Sequence, residues 1–121
     1  MTMSPERERR AAQNEDLFRR LNERLHTLAS IGDEAPGAGT MERCLCECSQ
    51  ATCSRVIELT ADEYRAVRAR DRRFLVFPDV THTVPEVETV VERHQRYWVV
   101  EKTGTAGTEA QALADSDPKP L

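Results

Sequence analysis

No stretch of this 121-residue chain approaches the roughly 18 consecutive apolar residues that a membrane-spanning helix needs. The charged start, MTMSPERERR, has no apolar run behind it and does not read as a secretory signal. A cytoplasmic protein is therefore expected. Aromatic residues are scarce, with three Phe, two Tyr and one Trp to fill a core. Phosphate-binding and dinucleotide-binding glycine motifs are missing, and no Ser/His/Asp or Cys/His catalytic arrangement can be assigned. An enzyme is not expected. Excess positive charge is missing too: the net charge of −4 offers no general attraction for nucleic acid.

What is present falls into four parts. Residues 1–31 carry one amphipathic helix from about residue 5, with Leu17, Leu21, Leu25 and Leu28 at i, i+4, i+8 and i+11. Phe18 and Ile31 lie beside that stripe, and Arg and Glu fill the remaining faces. Residues 32–40, rich in Gly and broken by Pro36, have no periodicity and read as a flexible linker. Residues 41–102 form the α+β core. The tail, 103–121, lacks aromatic and β-branched apolar residues and is expected to be disordered.

Within the core, Arg55 to Leu59 reads as a strand, and Thr60 with Glu63 forms a capping box that opens a helix with Tyr64 and Val67 inward. Phe74 to Phe77 is a buried strand ended by Pro78. Val84-Pro85 is expected to open a second core helix, with Val87, Val90 and Val91 on its apolar face. Tyr97 to Val100 closes the core as a strand. The expected order is α, β, β, α, β, α, β, an α+β fold with a short sheet.

Four cysteines, Cys44, Cys46, Cys48 and Cys53, lie within ten residues. In a reducing compartment that clustering indicates metal before disulfide. Cys46-x-Cys48 presents two sulfurs on one side of an extended segment, and the loop 49–52 can turn Cys53 back to the same ion. Zinc asks for four such ligands in a tetrahedron. Cys44 could be the fourth only if the chain bends at Leu45, because four extended residues span about 13 Å. A distant imidazole is easier. His82 sits in a loop after a strand, whereas His94 reads as a helix-end cation and His26 as surface. A 62-residue core short of aromatics also needs a staple, and structural zinc supplies one.

Several stretches together resemble a family of small, functionally uncharacterised zinc-binding proteins common in high-GC Gram-positive bacteria. They are Asn14-Glu15-x-x-Phe18-Arg19-x-x-Asn22-Glu23, Cys46-Glu47-Cys48-x4-Cys53, Leu59-Thr60-x-x-Glu63-Tyr64-x-x-Val67-Arg68, Arg73-Phe74-x-Val76-x-Pro78, Pro85-Glu86-x-Glu88-x-Val90-Val91-Glu92 and Tyr97-x-Val99-Val100-Glu101-Lys102. The resemblance covers about residues 14–102. It implies Cys46, Cys48, Cys53 and His82 as ligands, and an aromatic-type packing position at Cys44. It implies no activity.

Two non-catalytic roles follow as expectations. The first is a regulatory or adaptor module that uses a structural zinc and meets a protein partner, or a second copy, through residues 5–31. The leucine stripe is narrow and flanked by Arg and Glu, as in a coiled-coil seam. The alternative for that stripe is packing on the chain's own core. The second role is nucleic-acid binding through Arg65, Arg68, Arg70, Arg72 and Arg73, five bases against Asp71 within nine residues.

Overall fold

Thr60 caps a helix as its sequence requires: its hydroxyl accepts from the Glu63 amide at 3.1 Å, and the Glu63 carboxylate accepts from the Thr60 amide at 2.8 Å. That helix packs into the core in a computed structural model that describes residues 5–29, 41–50 and 53–116. The elements are α1 (Pro5–Ala29), β1 (Met41–Leu45), β2 (Val56–Thr60), α2 (Ala61–Arg68), β3 (Arg73–Val76), a 3-10 turn (Val80–His82), β4 (Glu88–Arg93), β5 (Trp98–Lys102) and α3 (Gly104–Ser116). The fold is α+β. The linker assigned to 32–40 lies outside the described residues, and none of the described helices is long and apolar enough to cross a membrane.

β1 and β2 form an antiparallel hairpin that sets Cys44 opposite Ile57 and Glu42 opposite Leu59. β3, β5 and β4, in that spatial order, form a second antiparallel sheet. Ile57, Leu59, Tyr64, Val67, Phe74, Leu75, Val76, Tyr97, Val99 and Val100 make one core between the sheets and α2. The Glu47 amide donates to the Leu75 carbonyl at 2.7 Å, which joins the segment after β1 to β3.

Two expected elements differ. Residues after Pro85 form a turn and then β4, where a second core helix was expected. Thr89, Val90 and Val91 are β-branched, which favours a strand, and the far side of β5 offers a ladder for them to pair with. A bulge between Val90 and Glu92 leaves Val91 exposed. The tail is also ordered for most of its length. Residues 104–116 form α3, with Ala106, Ala110 and Ala114 buried at every fourth position. The stripe escapes notice because methyl groups carry little hydrophobic signal, yet small side chains let a helix lie close. A Cβ on Gly107 would meet the Lys102 carbonyl at 2.9 Å.

α1 packs on the core with its polar face inward. Glu15, Asp16, Arg19 and Asn22 are buried. Arg19 donates to the Asp71 carbonyl and to Asp16, both at 2.6 Å, and lies 4.8 Å from the Phe74 ring centroid. Asn22 brackets Leu45, donating to its carbonyl at 2.8 Å and accepting from its amide at 2.7 Å. Lys102, buried beneath the helix, lies against the carboxyl groups of both Glu15 and Glu88. Leu17, Leu21, Leu25 and Leu28 are 54%, 38%, 46% and 65% exposed.

Candidate metal centre

After β1 the chain stays extended, and the Cys46 amide donates to the Arg55 carbonyl at 2.9 Å. Alternation along an extended segment sends Cys46 and Cys48 to one side and Glu47 to the other. The Cys53 amide donates to the Gln50 carbonyl at 3.0 Å, and Cys53 lies with the other two thiols. His82 arrives on the 3-10 turn. Asp79 caps that turn by accepting from the Thr81 amide and hydroxyl, both at 2.9 Å. The Gln50 side chain donates to the Thr81 carbonyl at 2.9 Å and ties the cysteine loop to the histidine turn.

One ligand atom from each of Cys46, Cys48, Cys53 and His82 lies within 4.8 Å of all the others. His82 Nδ1 is 3.5 Å from Cys46 Sγ and 3.7 Å from Cys53 Sγ. Metal–ligand bonds of about 2.0–2.3 Å in a tetrahedron give edges of roughly 3.3–3.8 Å; the two imidazole–sulfur distances fall in that range, and the widest pair stays within 4.8 Å. These four residues could hold a metal ion.

The electrostatics suit such an ion. The Phe77 amide donates to Cys46 Sγ at 3.2 Å, the kind of bond that supports a thiolate. The Cys48 thiol is drawn down to about 5, chiefly by its hydrogen bond with Cys46, against the opposing effect of burial. Cys46 is pushed up by the same bond and then by burial, and Cys53 is pushed up by burial. Cys46 and Cys48 thus share one hydrogen bond, which favours a thiolate within the pair; a divalent ion would displace the remaining thiol protons.

Cys44 lies outside the group. It is buried in the hairpin, and burial, followed by Glu47 and Glu42, pushes its thiol up to about 12. It packs as a neutral thiol. His26 Nδ1 meets Glu42 at 2.8 Å and its ring stacks on Tyr64. His94 meets Glu92 at 2.7 Å on a strand hairpin, where a helix end was expected.

The five arginines do not form one uniform face. Arg65 pairs with Asp62, Arg68 with the buried Glu47, and Arg73 with Glu92 and Glu101. Arg70 and Arg72 are exposed.

Glu47 is the site residue that spacing did not reveal. Fully buried, it accepts from Asn22 at 2.8 Å, from the Leu75 amide at 2.9 Å and from Arg68. It thus connects α1, α2 and β3 to the segment that carries two ligands. The available signal was a charged residue between two inward cysteines, on the opposite side of an extended segment. Comparison with known proteins returns no match, whether to family models, curated proteins or solved structures.

Proposed function

We propose that this chain is a small non-catalytic zinc-binding module, regulatory or adaptor in role, whose structural zinc holds a core that presents α1 to a protein partner. Zinc is favoured by the donor set, since three thiolates and one imidazole are a common structural shell. Four protein ligands close a tetrahedron and leave no open position for substrate, which argues against catalysis. The observation that carries the docking role is the leucine stripe. Its four residues are exposed while the opposite face of α1 is satisfied by polar contacts with the core. Each of these leucines keeps 38–65% of its surface exposed, which favours a partner as a reason for them.

The metal half of the proposal is tested by elemental analysis and zinc-edge X-ray absorption on protein purified without added metal. One zinc per chain with three sulfurs and one nitrogen is expected. Iron, or a four-sulfur shell, would replace it. His82→Ala should lower zinc affinity and thermal stability strongly, and Cys44→Ser far less. The docking half is tested on the zinc-loaded chain with Leu21→Glu, whose amide spectrum should match the parent outside α1. Changes throughout the core would mean that the stripe serves folding.

A further inference from the structure

The exposed side of α1 has a charge as well as an apolar stripe. Six Arg and five acidic residues occur in residues 1–30, but the helix sorts them. Glu15 and Asp16 turn inward and are buried, together with Arg19. Among the described side chains, Arg7, Arg9, Arg10 and Arg24 are exposed, against Glu6. The buried face therefore consumes acids, and the outer face of an acidic protein becomes basic.

Position sharpens the point. Leu28, Leu25, Leu21 and Leu17 continue through Asn14 to Arg10 and Arg7 at steps of three and four residues, along one side of the helix. The line is apolar towards the C-terminus of α1 and basic towards its N-terminus. Beside Leu17, a groove of 230 Å³ between α1 and α3 is lined by Gln13, Asp16, Leu17, Arg20 and Leu113.

These features discriminate between occupants. The leucines expose a few hundred Å², well below the roughly 800 Å² that each side of a standard interface buries, so the flanks must contribute. A second copy in parallel register would set Arg7, Arg10 and Arg24 against themselves, and in either direction its flanks are basic. Like charges across such a seam are destabilising. Carboxylates in those places would form ion pairs and steer association.

We infer that the partner seated on α1 is an amphipathic helix of another protein, with an apolar stripe flanked by Asp and Glu. The inference rests on the docking role proposed above and adds the partner's chemistry.

The test uses the zinc-loaded full chain and two synthetic helical peptides with identical leucine heptads, one flanked by glutamate and the other by lysine. Fluorescence anisotropy should show the glutamate peptide binding at least tenfold tighter, with affinity falling as salt rises. Leu21→Glu and the pair Arg10→Glu/Arg24→Glu should each weaken it about tenfold or more. Equal binding of both peptides, or none, overturns the acidic partner. So does a Leu21-dependent dimer in analytical ultracentrifugation, which would leave the docking role standing with a second copy as occupant. Tighter, Leu21-dependent binding to phosphatidylglycerol vesicles than to the glutamate peptide would also overturn it, in favour of a membrane surface.

Discussion

α1 and α2 meet the same core by opposite means. α2 buries Ala61, Tyr64 and Val67 and turns Asp62 and Arg65 to solvent, so its apolar face is its inner face. α1 buries Glu15, Asp16, Arg19 and Asn22 and leaves four leucines outside. Apolar burial holds α2 without regard to fine geometry, because the hydrophobic effect is non-directional. α1 is held by matched donors and acceptors, which tolerate one seating. A helix attached that way keeps its apolar stripe available for a second use.

The two helices share one anchor, and removing it should have the largest effect. Glu47→Ala leaves Arg68 buried beside no carboxylate and strips acceptors from Asn22 and the Leu75 amide. A loss of about 3–5 kcal/mol is expected from urea unfolding of the zinc-loaded protein. The amide spectrum should change on both α1 and α2; a change confined to one helix would break the idea of a common anchor.

Next in size is a swap that separates polar from apolar holding. Asn22→Leu is close in volume and more apolar, yet should cost about 2–3 kcal/mol because the Leu45 amide and carbonyl lose their partner. Tyr64→Phe on α2 keeps the apolar volume and removes a hydroxyl without a hydrogen-bond partner, and should cost less than about 1.5 kcal/mol. If Asn22→Leu is neutral, hydrogen bonding does not hold α1.

Glu15 gives the comparison a pH dependence. Burial raises its pKa from 4.5 to about 8; Lys102 opposes the rise and Glu88 adds to it. A carboxyl group with a raised folded pKa takes up a proton on folding. Its effect is therefore loss of stability as pH climbs from 4.5 towards 8. The slope in the upper part of that window should reach up to about 1 kcal/mol per pH unit. Glu15→Gln should flatten it. An unchanged slope would place the proton elsewhere.

The smallest effect on stability belongs to the stripe itself. Leu21→Glu should shift unfolding of the isolated chain by less than about 0.5 kcal/mol. A loss as large as that of Asn22→Leu would erase the contrast between the helices.

Local rules made much of this legible. The capping box placed α2, the apolar run placed β3, and Cys46-x-Cys48-x4-Cys53 brought three candidate ligands together, because each depends on residues a few positions apart. His82 was reachable as a loop residue able to approach the cysteines; its distance from them, 3.5 Å to Cys46 and 3.7 Å to Cys53, needed the fold. β4 is not legible in the sequence because Val84-Pro85 resembles a helix start, and only pairing with β5 converts those valines into a strand. α3 is not legible either, because an alanine stripe has meaning only beside the surface it fits.

By itself, then, the sequence determined the α+β class, the capped helix and the metal-type spacing, all short-range consequences of backbone sterics and hydrogen bonding. Tertiary structure decided which face of α1 points inward. Periodicity marks an apolar side but does not say that it is buried. Here Glu47, Leu45, Asp71, Ala110 and Lys102, contributed by four separate stretches of the chain, provide partners for the polar side. Once those groups are matched in the interior, where leaving them unpaired is costly, the leucines are the face that remains for solvent or a partner.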